Sequence, residues 1–209
     1  MLELARLGHR LPEAHRREIE VLAARYGAPR IDVADLGANR FADPGGGTPR
    51  PCEVCMIIRR SSARFLVFRK TFYPPEIFRL PTGGIGNGEG ILDALGRELY
   101  EETGFSIGGV HFLSVVAYRT SAGVADPLTF TYAFLLDSPE ANPRPVDPHE
   151  HVEAFREIDP HDLRRIAWEL DRLAPQPAPE LESNWSDWGR FRAVVHRIVW
   201  EMFKDSPFE

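Results

Sequence analysis

Residues 83–105, GGIGNGEGILDALGRELYEETGF, join a glycine-rich loop to a run of helix formers that places three glutamates on one helical face. At about 100° per residue, Glu98, Glu101 and Glu102 fall within an arc of roughly 100°. Leu92, Leu95 and Leu99 form the neighbouring stripe, which can face a core, so the carboxylates are expected at the border between buried and exposed surface. Like charges at these spacings destabilise a helix by roughly 0.2–0.5 kcal/mol per pair, and such a cluster calls for a cation against it. Carboxylate oxygens are hard ligands suited to Mg²⁺ or Mn²⁺. Arg97 can hold a carboxylate through its planar fork. The helix is predicted over 89–103, with Asn87 or Gly88 as its cap and Thr103-Gly104-Phe105 as a left-handed stop. Gly83, Gly84, Gly86 and Gly88 leave the preceding loop free to take positive φ and to bring backbone close to a ligand.

Around this helix the hydrophobic pattern predicts strands over 52–59, 63–70, 110–119, 128–136 and about 151–158. Helices are expected over 12–26, 160–171 and 186–203, the last with Trp188, Phe191, Val195, Ile198 and Met202 as its packing stripe. Proline excludes a central strand over 71–84, and glycine and proline mark a linker near 37–51. Strands on both sides of one acidic helix predict an α/β (α+β) fold, a mixed sheet between helices. The expected division is an N-terminal helical extension and linker over 1–48, a main domain over 49–173 and a C-terminal helical extension over 174–209 packed on it.

A chain of 209 residues, 43% apolar, can bury a core without disulfides, and its two cysteines, Cys52 and Cys55, offer no disulfide framework. Positions i and i+3 of a strand point to opposite faces, which argues against a Cys52–Cys55 metal site. A net charge of −6 argues against a broad nucleic-acid-binding surface. It still allows a polyanionic substrate when metal ions lie between substrate and carboxylates. No apolar run reaches membrane-spanning length, no signal peptide is visible, and a cytoplasmic, membrane-free location is expected.

The stretch resembles the Nudix box, G-x5-E-x7-R-E-U-x-E-E-x-G-U with U a bulky apolar residue, at Gly83, Glu89, Arg97, Glu98, Leu99, Glu101, Glu102, Gly104 and Phe105. That resemblance implies a Nudix fold and Mg²⁺- or Mn²⁺-dependent hydrolysis of a nucleoside diphosphate linked to another moiety. It further implies that Glu98, Glu101 and Glu102 ligate metal, that Arg97 orients them, and that Glu89 supports them. The carbonyl of Thr82 is a further expected ligand, although many family members carry glycine there. The base varies within the family; the candidate here is Glu150, in the loop DPHEH, with Glu153 second.

Phe72, Tyr73 and Phe78 either stack a base or pack the glycine loop; with Arg79 they are the candidate substrate contacts. His149 and His151 read as polar loop residues, Trp185 and Trp188 as core, and Arg190, Arg192 and Arg197 as surface charge. Signatures that resolve substrate within the family are largely missing: Thr120 and Ser121 stand where ADP-ribose hydrolases tend to carry proline, and the next proline is Pro127. The expected ligand is therefore a nucleoside diphosphate derivative, with nucleotide sugars and (d)NTPs both open. On family analogy the two extensions suggest a homodimer contact or a lid. A nucleotide-sensing protein without turnover is the alternative; the intact carboxylate set speaks for hydrolysis.

Overall fold

Cys52–Arg59 (β2) is buried along nearly its whole length, and its side chains divide between two cores. Cys52, Val54, Met56 and Ile58 enter one core, while Cys55 and Ile57 enter the other. A near-continuous apolar run is what a strand covered on both faces requires. The computed structural model describes residues 4–39, 41, 52–120, 129–138 and 141–205. Most of the linker expected over 37–51 lies outside these residues, as do Ser121 and Pro127.

The main sheet runs β1-β5-β6-β2-β3-β7, from Arg30–Asp35 (β1), Val110–Arg119 (β5) and Thr129–Asp137 (β6) through β2 to Phe65–Lys70 (β3) and Val152–Ile158 (β7). It is mixed: β1 lies parallel to β5 and β6 to β2, and the other neighbours are antiparallel. Two helices cover one face, Glu13–Tyr26 (α1) and Ile91–Thr103 (α2), through Ile19, Leu22, Ile91, Ala94, Leu95 and Leu99. Leu95 and Leu99 are essentially inaccessible, and each such burial stabilises by roughly 1.5–3 kcal/mol. Leu163–Asp171 (α3) and Trp185–Phe203 (α4) cover the opposite face.

Both terminal segments are built into this architecture. The segment predicted as an N-terminal extension supplies helix α1 to the core and β1 to the edge of the main sheet. On α4, Trp185 and Trp188 are buried. Arg192 departs from the surface expected of it: it is buried, with Nη1 2.6 Å from Glu53 Oε2. Glu53 alternates onto the α4 face of β2, which puts a carboxylate within the core where only a paired cation can compensate it.

The connection from β3 to α2 shapes the site. β3 pairs with β2 only at Ile58–Leu66 and Arg59–Phe65, after which the two strands part. The space beside the first half of β2 is taken by Thr82–Gly84 (β4), antiparallel to residues 53–55. The intervening proline-rich segment touches β3 through the Phe68–Arg79 bridge.

Candidate active site

Helix α2 starts at Gly90, which supplies no side-chain cap. Glu18 of α1 takes that role from across the fold: its Oε2 accepts from Ile91 N–H at 2.8 Å and its Oε1 from Leu92 N–H at 3.0 Å. A carboxylate is well placed there, at the positive end of the helix dipole. His15 adds a contact, with Nε2 3.4 Å from the Glu89 carbonyl oxygen and Nδ1 3.0 Å from the Tyr132 hydroxyl. The cap expected at Asn87 or Gly88 is therefore replaced by one that only tertiary packing supplies. At the other end, Gly104 takes φ 72° and its N–H donates to the Tyr100 carbonyl, as the Thr-Gly-Phe stop predicts.

Arg97 organises the helix face. Its Nε and Nη2 donate to the two oxygens of Glu89 at 2.7 and 2.9 Å, and its Nη1 to Glu98 at 2.8 Å and Glu101 at 2.9 Å. Nη2 also donates to the Gly84 carbonyl at 2.9 Å. These partners, Glu89 first, push the guanidinium pKa further above its ordinary value. Glu89 in turn accepts from Gly86 N–H at 2.7 Å, closing the glycine loop onto the helix. Gly83 permits the closest approach: a Cβ there would lie 1.9 Å from Glu98 Cδ.

The three glutamates are not equivalent, and the expected border position holds only for Glu101. Glu101 is half-buried, Glu98 is buried, and Glu102 has no accessible surface. Burial pushes the Glu102 carboxyl up to about 8, against the lowering effect of Lys70 and Arg79. Burial likewise raises Glu98, against Arg97. Neither Glu102 oxygen has a hydrogen-bond partner. Its ion-pair contact is Lys70 Nζ, at 3.3 Å from Oε1, and the same ammonium lies 2.7 Å from Glu150 Oε2. Lys70 ends β3, and Thr71 N–H donates to the His151 carbonyl at 2.9 Å, which joins this strand end to the loop carrying Glu150.

Glu98, Glu101 and Glu150 each present an oxygen within 4.8 Å of the others. Three convergent carboxylates, with the orphaned oxygens of Glu102 behind them, form a donor set that fits a hard divalent cation such as Mg²⁺ or Mn²⁺. Neither His149 nor His151 joins the convergent group.

The remaining candidates fall into two groups. Tyr73, Phe78 and Arg79 are buried and pack in the α3/α4 core or against it, so their placement speaks for packing rather than direct substrate contact. Arg79 donates to the Tyr73 hydroxyl at 2.6 Å, to the Leu80 carbonyl at 2.8 Å and to Thr82 Oγ1 at 2.8 Å, while its guanidinium lies over Phe68. It braces the turn that leads into Thr82 and Gly83. His196 of α4 braces the same turn: its Nε2 accepts from Leu80 N–H at 2.9 Å, and Nδ1 lies 2.8 Å from the Arg192 carbonyl. Burial holds this imidazole neutral, with its pKa down to about 3. Phe72 stays partly exposed, edge-on to Tyr73 and to His151 in the loop after Glu150, where it can still meet a base. Glu153 is exposed and tied to Arg69 at 2.9 Å.

Sequence reasoning did not single out Lys70, Glu18 or His196. Only Lys70 left a trace, as one of two lysines among 25 lysines and arginines.

A family model described as NUDIX domain matches residues 49–181. An RNA pyrophosphohydrolase of Cereibacter sphaeroides (strain ATCC 17029 / ATH 2.4.9) is 36% identical over 76 residues, 36% of this chain and 46% of that protein. The NAD-capped RNA hydrolase NUDT12 of Macaca fascicularis is 36% identical over 64 residues, 31% of this chain and 14% of that protein. The chain thus spans less than half the length of either curated relative. Among solved structures, the MutT NUDIX hydrolase from Burkholderia pseudomallei aligns at a TM-score of 0.45 and 23% identity, covering 73% of this chain and 97% of that one.

Proposed function

This chain belongs to the NUDIX domain family, and on that premise we propose that it is a divalent-metal-dependent hydrolase of nucleoside diphosphate derivatives. The observation that carries the proposal is the convergence of Glu98, Glu101 and Glu150 within 4.8 Å, around a helix whose Arg97 fixes Glu89, Glu98 and Glu101 together. A bound Mg²⁺ or Mn²⁺ would neutralise the diphosphate, draw electrons from phosphorus and lower the pKa of an attacking water.

This chain's own residues supply the rest. Glu98 and Glu101 hold the cation, and the Thr82 carbonyl, at the start of β4, is a further donor for it. Glu102, whose buried oxygens accept no hydrogen bond, is the third helix carboxylate for it, giving up its proton when the cation binds. Arg97 prevents the carboxylates from rotating away, so little reorganisation is needed when the substrate arrives. Glu150 comes from another part of the chain and converges on Glu98 and Glu101, where it can take the proton of the attacking water. Glu153 is the weaker candidate for that step, because Arg69 holds its carboxylate at the surface. Phe72 is the aromatic candidate for contact with the base. No helix among the described residues is long and apolar enough to cross a membrane.

The test is product analysis after incubation with a panel of nucleotide sugars, (d)NTPs and dinucleotides, with and without Mg²⁺ or Mn²⁺. Two relatives, an RNA pyrophosphohydrolase and an NAD-capped RNA hydrolase, add RNA substrates, NAD-capped RNA among them, to that panel. The expected result is metal-dependent cleavage within the diphosphate of at least one compound. Glu150→Gln is expected to cut kcat by about 10²–10⁴-fold; near-normal turnover would remove it from the proton-transfer step. Tight nucleotide binding without turnover of any compound would instead establish a sensing role.

A further inference from the structure

Helix α4 lies beyond residues 49–181, which the family model matches, and on the other face of the sheet from α2. It nevertheless reaches the strand that opens the glycine loop, through two side chains one turn apart. Arg192 pairs with Glu53 of β2, and Glu53 stands opposite Gly84 in the β2–β4 ladder. His196, with no accessible surface, accepts from Leu80 N–H on its Nε2 at 2.9 Å. An accepting ring nitrogen carries no proton, so the neutral imidazole holds its hydrogen on Nδ1 and donates it to the Arg192 carbonyl at 2.8 Å. An apolar residue in this place would leave the buried Leu80 N–H without an acceptor.

The turn that His196 holds leads directly to the Thr82 carbonyl. Arg79 Nη1 donates to the Leu80 carbonyl and to Thr82 Oγ1, each at 2.8 Å, and the Pro81 carbonyl accepts from Met56 N–H at 2.9 Å. That last bond, with the one from Ile85 N–H to the Cys52 carbonyl at 3.0 Å, sets the phase of the β2–β4 ladder. In an antiparallel pair, residues bonded to the partner strand alternate with residues whose backbone groups point away from it. Pro81, Gly83 and Ile85 are in the bonded phase, so Thr82 and Gly84 direct their carbonyls off the other edge of β4. There the Gly84 carbonyl meets Arg97 Nη2 at 2.9 Å. The Thr82 carbonyl therefore leaves the strand on the edge where Arg97 gathers Glu98 and Glu101.

We infer that His196 is a positioning residue for the metal site: through Leu80 and Pro81 it fixes where the Thr82 carbonyl stands, from the opposite face of the sheet. Helix α4 is thereby a working part of the site as well as a cover for the core. This rests on the metal-site reading above, in which that carbonyl is a donor.

The experiment is Mn²⁺ binding to the full chain without substrate, measured by calorimetry. Loss of a partner that orients a metal ligand costs about 10–100-fold in affinity, and His196→Leu is expected to weaken Mn²⁺ binding by that factor. His196→Gln, whose side-chain oxygen can accept from Leu80 N–H, is expected to recover most of the loss. Val195→Ala removes buried packing from the same helix without touching the turn, and is expected to lower the melting temperature while leaving Mn²⁺ affinity unchanged. A folded His196→Leu with wild-type affinity, or an equal loss in Val195→Ala, would overturn the inference. No Mn²⁺ binding by wild type would instead remove the metal-site reading itself. A second readout needs no variant, because coupling between the metal and the Leu80–His196 bond is reciprocal. In wild type, Mg²⁺ is expected to slow hydrogen exchange at the Leu80 amide more than at the amides of α4. Equal slowing at both, or none, would sink the proposal even if His196→Leu failed to fold.

Discussion

An alanine at position 83 would place its Cβ 1.9 Å from Glu98 Cδ and 2.1 Å from both Cγ and Oε2. Carbon atoms pack at about 3.5–4.0 Å, so the Glu98 carboxyl must move by about 1.5 Å or more. The β4 backbone cannot yield easily, because residues 82–84 are paired to β2. The glutamate side chain can. Its departure breaks the 2.8 Å bond to Arg97 and removes Glu98 from the group that converges within 4.8 Å. A misplacement of about 1 Å can cost on the order of 10²-fold in rate, or about 2.7 kcal/mol of transition-state stabilisation. Gly83→Ala is therefore expected to lose at least about 100-fold in kcat/KM and to bind Mn²⁺ more weakly without substrate. The obstacle is the end of a flexible side chain, so the melting temperature is expected to change by no more than a few degrees, at about 2–4 °C per kcal/mol for a chain this size. A variant that kept wild-type Mn²⁺ affinity and turnover within about threefold would refute the reasoning. So would one that unfolded, because the side chain could then not have moved aside.

Removing the cross-fold cap with Glu18→Ala leaves two N–H groups of α2 without their acceptor and is expected to cost about 1–2 kcal/mol in a thermal melt; an unchanged melting temperature would show that the contact contributes nothing. Two helical glycines are expected to differ in sign. At Gly189 a Cβ would meet the Leu170 carbonyl oxygen at 2.1 Å, so Gly189→Ala forces α3 and α4 apart and destabilises by about 1–3 kcal/mol or more. At Gly96 the nearest neighbour would be Ile107 Cδ1 at 3.4 Å, and nothing in the structure requires glycine; Gly96→Ala is expected to stabilise by up to about 1 kcal/mol. In chelator, Glu102 holds its proton up to about 8 when folded but releases it near 4.5 when unfolded, so stability falls as pH rises through that window. His196, with its pKa near 3 when folded and 6.5 when unfolded, loses stability in the other direction, as pH drops below 6.5. From pH 6.5 to 8 only the Glu102 effect remains of the two, with a slope of at most about 1.4 kcal/mol per pH unit. Melts of the metal-free protein are expected to fall over that range, and Glu102→Gln to abolish most of the fall; a flat wild-type profile would contradict the burial of Glu102.

What was legible in the sequence was what depends on near neighbours along the chain. The α2 helix, its Leu95/Leu99 core stripe and the Gly104 stop follow from contacts between residues three to five apart, and Arg97 reaches Glu98 and Glu101 within one turn. The strands β2, β5, β6 and β7 carry their burial pattern in their own residues, and so were found close to their observed bounds. Tertiary structure decided the rest. Three glutamates on one helical arc look alike in sequence, yet Glu102 is fully buried while Glu101 stays half-buried, because burial depends on which element lies above each residue. Glycine at position 83 suggested freedom of φ, but the structure requires it for the space a Cβ would take from Glu98. Glu18, Lys70 and Glu150 reach the α2 region from three separate segments, and no local periodicity records a contact made across the fold. The sequence by itself determined the acidic helix and the class of cation it suits. Only the pairing of strands and the packing of α1 decided which carboxylates converge, which one is buried, and which ammonium stands between them.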